Sequence, residues 1–402
     1  MELLTADTVA TGAGRIVIEH GGVLVDGHHI AAVGPIDQVL GHPEAPSATR
    51  RDFGASTLLP GMIDSHVHLA LDASDAPVAH MMSSDDAHLL VQMRLNARAL
   101  LAAGVTSARD LGARSKLDLV LQEAIETGAT QGPRLVVANE PITTTGGHCW
   151  FMGCERDDAS ALRKAVREHH KSGAQVIKVM ATGGFMTEGS APWHAQFAST
   201  EILALVEEAR RLDKTIAAHA HGLEGIRNAV GAGVDTIEHC SWAGRTGVHY
   251  DEDVVGSIVA QGIFVCPTTN TRTLDPHPVQ LSSVAVPDEL ITGRMERLRR
   301  MREAGVRFVA GTDAGINLVP HGAYVRGLEA LAASGMPPLE VIECATSRAA
   351  EACGIGARTG RLEPGLDADV VAVAGDATTD VSLLVRPTMV MQRGRLFDPT
   401  AP

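Results

Sequence analysis

The chain has 402 residues, of which 45% are hydrophobic and 20% are charged, and its formal net charge at pH 7 is −14. This balance is typical of a globular protein, and the length accommodates one large α/β domain of roughly 250 residues with a smaller companion. The acidic charge and the absence of a basic stripe exclude a nucleic acid as the expected partner, since phosphate binding needs clustered lysine and arginine.

The N-terminal segment lacks the basic region followed by an apolar core that a secretory signal requires. The sequence also lacks an apolar run of the roughly 18 residues or more that suggest a membrane span. Six cysteines, none in a C-x-x-C pair, are too few for a disulfide framework in a chain of this length. We therefore expect a cytoplasmic protein with free thiols and no membrane partner.

Both ends of the chain predict short β-strands. Apolar runs alternate with turn signals in RIVIEHGGVLVDG near the start, and ADVVAVAGD and TMVMQRGRLF repeat this pattern near the end. We expect residues 1–56 and 362–402 to pair into one small β-domain of the β-sandwich type. Residues 57–361 would then fold as a separate body.

The region 57–361 repeats a short apolar strand, a loop and a helix rich in Ala, Leu and Arg. Strands are predicted in LLPGMIDSHVHL, GVTSARDLG, RLVVAN, AQVIKVMATGG, TIAAHAHG, VDTIEHC, GIFVCPTT and VRFVAGTDAG. Such an alternation predicts a (β/α)8 TIM barrel. A doubly wound sheet shows the same alternation but normally has a glycine-rich phosphate loop after its first strand, which GMIDSHVHL lacks.

One segment interrupts the alternation. Residues 271–286, TRTLDPHPVQLSSVAV, are rich in proline and serine. This composition predicts a loop or a lid.

Two histidines stand near the end of the first predicted barrel strand. His66 and His68 are two residues apart, so both imidazoles point to one face of the strand. In a barrel that face can be the interior, where two imidazoles suit a single metal ion. The alternative is a surface strand in which histidine and apolar residues alternate by chance.

Lys178 lies in VIKVMATGG, among apolar neighbours. A buried ammonium group there loses most of its hydration, which costs several kcal/mol. One interpretation is a lysine that pairs with an acid or reaches solvent through its long stem. The other is a lysine carbamylated by carbon dioxide, whose new carboxylate can bridge two cations.

Histidines also mark the fifth and sixth predicted strands. His219 and His221 in AAHAHG share one face, and His239 ends TIEHC. A lone buried histidine is more often a core residue than a ligand, but successive strands with this feature favour a shared metal site. Asp313, in VAGTDAG, closes the eighth strand among small residues that leave room for a substrate or a metal-bound water.

A divalent metal in a histidine and carboxylate site lowers the pKa of bound water toward about 7, and a second metal helps to polarise a carbonyl. Hydrolysis then needs a group that takes a proton from water and returns it to the departing nitrogen or oxygen. Asp313 is the candidate, because it is the ligand-type carboxylate at a strand end.

These segments resemble a known family. GMIDSHVHL, IKVMATGG, AAHAHG, IEHC and GTDAG are similar to the signature segments of the amidohydrolase superfamily, particularly its imidazolonepropionase-like and Xaa-Pro dipeptidase-like branch. The resemblance covers nearly the whole chain, including GRLEPGLDADVVAVAGD. It implies a (β/α)8 barrel with a flanking small β-domain, and it favours a homo-oligomer.

The resemblance also implies a binuclear metal centre. Its ligands would be His66, His68, Lys178, His219, His239 and Asp313. The HxH pair and Asp313 would hold the more buried ion and the other two histidines the more exposed one. Lys178, as N6-carboxylysine, would bridge both ions together with a hydroxide. These ligands suit Zn²⁺, and also Mn²⁺, Co²⁺ or Fe²⁺.

Loops after the strands contain candidate substrate contacts. His148 resembles a histidine that relatives place near the substrate, where it would hydrogen-bond the carbonyl oxygen or the leaving group; the alternative is a loop histidine that faces solvent. Further candidates to contact an apolar or aromatic part of a small-molecule substrate are Trp150, Phe151, Trp193, His221 and Trp242. The alternative for each aromatic residue is packing between loops.

No residue stands out as an anchor for a substrate carboxylate. Arg245 and Arg272 lie on predicted loops, and the two tyrosines are Tyr250 and Tyr324. The missing anchor weakens the assignment of a dipeptidase.

The leading hypothesis is hydrolysis of an amide C–N bond in a dipeptide, N-acyl amino acid or related amide by the bridging hydroxide, with Asp313 and His148 as catalytic residues. A carbamate, aryl urea or cyclic amide is the alternative, since each presents a carbonyl to the same site. A deaminase is less favoured, because deaminase relatives generally use one metal and no bridging lysine. A non-catalytic scaffold would be expected to have lost ligands, whereas all the implied positions hold the right residue type.

Overall fold

A computed structural model of the chain describes residues 1–275 and 288–398. Its strands in chain order are β1 (Glu2–Ala10), β2 (Val17–Asp26), β3 (His29–Pro35), β4 (Thr49–Asp52), β5 (Ser56–Pro60), β6 (Met62–Val67), β7 (Val105–Asp110), β8 (Arg134–Val137), β9 (Val176–Met180), β10 (Thr215–Ala220), β11 (Thr236–His239), β12 (Phe264–Cys266), β13 (Arg307–Phe308), β14 (Val370–Ala374), β15 (Pro387–Gln392) and β16 (Arg395–Leu396).

The α-helices in chain order are α1 (Ile36–Leu40), α2 (Pro77–Ser83), α3 (Asp86–Ala102), α4 (Leu117–Glu126), α5 (Ala159–Ser172), α6 (Ser199–Arg211), α7 (Leu223–Ala232), α8 (Glu252–Gln261), α9 (Thr271–Leu274), α10 (Asp288–Thr292), α11 (Arg294–Glu303), α12 (Tyr324–Ala333), α13 (Pro338–Cys344) and α14 (Ser347–Ala352). Short 3-10 helices cover Ala45–Ser47, Trp150–Met152, His321–Ala323 and Val381–Val385. The predicted loop or lid at 271–286 begins with α9, and the rest of it, from residue 276, lies outside the described residues.

Strands from both ends of the chain form one eight-stranded sheet. β1 pairs antiparallel with β2 and parallel with β4 and β5. The C-terminal strand β14 pairs antiparallel with β5. Since β5 spans Ser56–Pro60, this sheet extends past residue 56, where we predicted the N-terminal part of the small β-domain to end. Both ends of the chain therefore meet in this sheet.

The strands between these ends are parallel and form two sheets. β6, β7 and β8 make a three-stranded sheet, and β9 to β13 make a five-stranded one. Every residue of β6 and of β9 is buried, as expected for parallel strands that are covered on both faces. The chain thus has an α/β structure.

Backbone hydrogen bonds connect the two parallel sheets at both edges. At one edge the Ile142 N–H donates to the Lys178 carbonyl at 2.9 Å, and the Met180 N–H donates to the Ile142 carbonyl at 2.9 Å. At the other edge the Asp313 N–H donates to the His66 carbonyl at 2.8 Å, beside an isolated parallel bridge from Val67 to Ala314. These bonds link the three-stranded sheet to the five-stranded sheet at both edges.

Helix α5 shows how the sequence sets the elements between the strands. The Asp158 side chain caps its N-terminus by accepting from the Ala161 N–H at 2.9 Å. Leu162 and Val166 are buried on one side of the helix. The helix ends at Gly173, whose φ of +100° is left-handed and favours glycine over any other residue.

An ion-pair network joins the eight-stranded sheet to β8. The Arg134 guanidinium donates to Asp369 and Asp367, at 2.7 Å each, and is 3% exposed. The Thr359 hydroxyl donates to the same Asp369 carboxylate at 2.7 Å. Arg358 adds a second guanidinium group 3.1 Å from Asp367, so two arginines balance the two carboxylates where the eight-stranded sheet meets β8. In residues 1–275 and 288–398, no helix is both long and apolar enough to cross a membrane.

Candidate active site

Three of the predicted ligand atoms meet where β6 and β13 end. The Nε2 atoms of His66 and His68 are 3.3 Å apart, and each lies 3.3 Å from Oδ1 of Asp313. A tetrahedral zinc ion with ligands at about 2.0–2.1 Å separates its ligand atoms by about 3.3–3.4 Å. The triangle formed by these atoms fits one such ion.

Asp64 connects the segments that carry His66 and Asp313 by hydrogen bonds. Its carboxylate accepts from the His66 N–H at 3.1 Å, and from the N–H and hydroxyl of Thr312 at 3.1 and 2.6 Å. Burial raises the pKa of Asp64 to about 7, although these hydrogen bonds act to lower it. Asp313 itself has a φ of +60°, a backbone conformation that few residues other than glycine, asparagine and aspartate adopt. Two sets of hydrogen bonds stabilise this conformation. The preceding residue, Thr312, donates to Asp64, and the Asp313 N–H donates to the His66 carbonyl.

Glu238 sets the orientation of the His66 ring. Oε2 of Glu238 is 2.8 Å from Nδ1 of His66, while Oε1 accepts from Arg109 at 2.8 Å and from the Thr236 hydroxyl at 2.7 Å. Burial acts to raise the pKa of Glu238, but Arg109 and His66 outweigh it, and the pKa lies well below its usual value. An ionised Glu238 accepts only, so Nδ1 of His66 carries the proton, and the lone pair of Nε2 is free for a metal ion in the triangle.

Burial keeps His66, His219 and His239 neutral. It lowers the pKa of His66 to about 4, with a further contribution from the charge of Lys178. It also lowers the pKa values of His219 and His239 well below the usual range, and the neighbouring histidines contribute. Neutral imidazoles keep the lone pair that a metal ion needs.

Lys178 is 1% exposed, and its Nζ has no hydrogen-bond partner in the part of the chain that the structure describes. Burial lowers its pKa, while the charges of Glu238 and Asp313 oppose that effect. The interpretation of a lysine hydrogen-bonded to an acid therefore has no support in the described residues. A buried nitrogen without a partner is costly, and carbamylation with metal binding would satisfy it.

A second group of ligand atoms belongs to β10, β11 and the turn after β10. Ligand atoms of His219, His221 and His239 lie within 4.8 Å of one another. Atoms of His239 also lie within 4.8 Å of His66 and Asp313, so the two groups are adjacent. His221, predicted as a substrate contact, stands as close to the other histidines as a ligand would.

Hydrogen bonds show which ring nitrogens in this second group are free. Nε2 of His219 is 3.0 Å from the Gly183 carbonyl and donates to it, which leaves Nδ1 with a lone pair. Nδ1 of His239 is 2.9 Å from the Thr268 hydroxyl, which itself donates to the Pro267 carbonyl at 2.8 Å. Nδ1 of His239 is then the donor, and Nε2 is free for a metal ion.

His148 lies inside the site and does not face solvent. Its ring centroid is 4.6 Å from that of His219, and its Nδ1 is 3.0 Å from the Thr187 hydroxyl. Burial lowers its pKa to about 3. Gly184 leaves room for the ring, since a Cβ at that position would come within 2.4 Å of it.

The predicted aromatic contacts fall in different environments. Trp150 is 41% exposed and lies edge-on to Phe151, at 6.3 Å between centroids. Trp193 is half-buried. Trp242, in contrast, is fully buried against Tyr250 at 5.1 Å, so its indole belongs to the core and is not open to a substrate in this structure.

Our interpretation of the sequence did not include Asp64, Arg109 and Glu238. All three are fully buried charged residues within strands. The signal was present in IDSH, ARD and IEH, where a charge interrupts an apolar run beside or near a proposed ligand. Charged residues are almost never fully buried unless paired, which is the reason to search for partners among them.

Comparisons with known proteins identify the family of this chain and several proteins that it resembles. Residues 57–397 match the Amidohydrolase family. The chain is 28% identical to Ochratoxinase of Aspergillus niger over 439 residues, covering 96% of this chain and 88% of that protein. It is 24% identical to Imidazolonepropionase of Paracoccus denitrificans (strain Pd 1222) over 400 residues, covering 92% of this chain and 91% of that protein. The crystal structure of a Xaa-Pro dipeptidase with bound methionine in the active site superimposes with a TM-score of 0.85 and 25% identity, covering 99% of each chain.

Proposed function

Since this chain belongs to the amidohydrolase family, in the imidazolonepropionase-like and Xaa-Pro dipeptidase-like branch predicted from its sequence, we propose that it hydrolyses an amide C–N bond with a binuclear metal centre. The substrate is a small molecule: a dipeptide, an N-acyl amino acid or a related amide. The observation that carries the proposal is the 3.3 Å triangle of His66, His68 and Asp313.

The donor set supports two divalent ions, which we assign as zinc. His66, His68 and Asp313 would hold one ion, and His219 and His239 the other. Carbamylated Lys178 would connect them. Neutral imidazoles and an ionised carboxylate are the forms in which these side chains bind metals. When bound, such ions lower the pKa of a coordinated water and polarise a carbonyl group.

Side chains of the protein would then transfer the proton of the attacking water and hydrogen-bond the substrate. Burial acts to raise the pKa of Asp313, but the neighbouring His66, His68 and Lys178 lower it overall, so the carboxylate is ionised at neutral pH. We assign to it the transfer of a proton from the attacking water to the leaving nitrogen. His148, neutral and next to His219, would hydrogen-bond the substrate's carbonyl oxygen or its leaving group.

We propose a closed (β/α)8 barrel for residues 57–361, with residues 1–56 and 362–402 as the small β-domain and a homo-oligomer as the assembled form. The hydrogen bonds from Ile142 to Lys178 and from Asp313 to His66 support the closure. In such a barrel, catalytic groups gather at the carboxyl ends of the strands, where the ligand candidates lie.

A substrate panel tests the reaction. Protein expressed with bicarbonate and reconstituted with zinc should cleave members of a set of dipeptides, N-acyl amino acids and aryl amides. Turnover of carbamates, aryl ureas or cyclic amides alone would replace the amide assignment. Zinc content below one ion per chain with no turnover would identify a non-catalytic relative.

A further inference from the structure

Arg272 and Arg294 are both associated with the segment that follows β12. This strand lies between β11, which ends at His239, and β13, which precedes Asp313. Arg294 is the first residue of α11. Its Nη2 donates to the carbonyls of both Pro267 and Thr268, at 2.5 and 3.0 Å. The Thr268 side chain is the partner of His239 Nδ1. The Arg294 guanidinium is therefore anchored to the same short segment that orients a proposed metal ligand.

Asn270 connects the backbone of Arg272 to the residue that precedes Asp313. The Arg272 N–H donates to Oδ1 of Asn270 at 3.1 Å, and Nδ2 of Asn270 donates to the carbonyl of Thr312 at 2.9 Å. Thr312 immediately precedes Asp313. Nε of Arg272 is buried and has no hydrogen-bond partner among residues 1–275 and 288–398.

Within residues 1–275 and 288–398, neither guanidinium group has a carboxylate as an ion-pair partner. Burial lowers the pKa of Arg272, and Asp313 is the carboxylate that acts against this effect. Burial lowers the pKa of Arg294 to about 10, and the positive charges of Arg297 and Arg272 add to it. Arg294 also lowers the pKa of His221, which places its charge near the histidine group. Oδ1 of Asp313 lies 3.3 Å from Nε2 of both His66 and His68, so this oxygen belongs to the proposed metal site.

We propose that Arg272 and Arg294 form a carboxylate subsite, and that the substrate is an amide with a free carboxylate near the scissile bond. Guanidinium groups bind carboxylates through paired, charge-assisted hydrogen bonds. An incoming carboxylate would give Arg272 Nε the partner it lacks. The inference rests on the proposed function and narrows it, because neutral carbamates and aryl ureas have no group for this subsite.

A binding experiment separates this subsite from catalysis. The probe is the ketone analogue of N-benzoylglycine, in which a methylene group replaces the amide NH so that hydrolysis is impossible, and its matched carboxamide lacks the charge. Zinc-loaded wild type should bind the carboxylate at least 10-fold more tightly than the carboxamide, as expected for hydrogen bonds to charged groups. The affinity for the carboxylate should fall as salt is raised.

Variants assign the preference to the named side chains. R272Q should weaken binding of the carboxylate by about 10- to 100-fold and leave the carboxamide unchanged. R294K should give a smaller loss, because it keeps the charge but not the planar fork. R245Q, which removes an exposed arginine from another loop, is the matched control and should bind both probes as the wild type does. Circular dichroism and zinc content confirm that each variant is folded and loaded.

Equal affinity of the wild type for both probes would overturn the subsite, as would an R272Q variant that weakens both probes equally. If the carboxylate preference is found but the substrate panel shows no amide turnover, the proposed function fails and the subsite stands. If amides are cleaved without any carboxylate preference, the subsite fails and the proposed function stands.

Discussion

Nδ1 of His66 lies 2.8 Å from Oε2 of Glu238, a residue 172 positions away in the chain. Both side chains are fully buried, and Arg109 completes the arrangement from the other side of the carboxylate. A carboxylate in this position fixes the tautomer of a metal-binding histidine and increases its basicity. Glu238 is thus coupled to the proposed metal centre without being one of its ligands.

Replacing Glu238 with Gln should weaken zinc binding by about 10- to 100-fold, because the carboxylate that accepts from His66 Nδ1 is lost. It should also destabilise the fold by about 3–5 kcal/mol, since Arg109 keeps a buried and unpaired charge. Zinc competition with a chromophoric chelator and urea unfolding measure the two effects. The exposed Glu207→Gln change is the control.

A double variant separates the two effects of Glu238. Arg109→Met combined with Glu238→Gln removes both buried charges, so it should recover most of the stability while zinc binding stays weak. Unchanged zinc affinity in the single Glu238→Gln variant would show that the carboxylate does not tune His66.

Replacing Lys178 with Ala should remove the bridge and reduce zinc from two ions to about one per chain, as measured by elemental analysis after reconstitution. Native mass spectrometry of the wild type should show the added mass of carbon dioxide, and small carboxylic acids should partly restore zinc to the variant. Lys171→Ala, an exposed change on α5, should alter neither. A Lys178→Ala protein with both ions and full activity would refute the carbamate.

Gly184→Ala should displace His148, because the new Cβ would come within 2.4 Å of its ring. A displacement of about 1 Å at a catalytic group costs on the order of 100-fold in rate, so kcat should fall while zinc content is retained. Steady-state kinetics on the amide identified by the panel measure the change. Gly256→Ala on α8, where a Cβ meets open space, is the control. Wild-type kcat in Gly184→Ala would remove His148 from the mechanism.

His321 should make the stability of the metal-free protein depend on pH. Burial lowers its pKa to about 4, whereas an unfolded histidine titrates near 6.5. Between these values the unfolded chain binds more protons, so the free energy of unfolding falls as pH drops from about 6.5 to 4, by up to about 3 kcal/mol for this group. Urea unfolding across this range should show a shallower dependence in His321→Gln. An identical slope would assign the effect to other histidines.

Arg134→Met should destabilise the protein by about 3–5 kcal/mol, because it leaves the Asp367 and Asp369 carboxylates without their buried partner. The comparison is Arg163→Met, which breaks an exposed ion pair with Glu207 and should cost under about 1 kcal/mol. Urea unfolding monitored by tryptophan fluorescence distinguishes the two variants. Similar losses in both variants would mean that the buried network adds no stability between the eight-stranded sheet and β8.

Much of the fold follows from short stretches of sequence. Alternation with a period of two predicts that the side chains of His66, in β6, and His68, one residue after it ends, point to the same side. Likewise, Asp158 and Gly173 bound α5 because capping and a left-handed φ are local properties. The family and its branch could be predicted for the same reason, since its signature segments are contiguous.

Partners far apart in sequence could not be predicted in this way. The sequence did not reveal that Glu238 would meet His66, that Trp242 would be buried against Tyr250, or that Arg294 would lie near His221. Each of these pairings depends on how strands and helices pack side by side.

The sequence alone therefore determined the family and its hydrolase class, and it predicted which residues at strand ends would bind metal ions. Only the tertiary structure decided which ring nitrogens of His66, His219 and His239 are free and which buried charges are paired. The physical reason is that periodicity and capping act over a few residues, whereas hydrogen bonding and burial depend on residues brought together from distant parts of the chain.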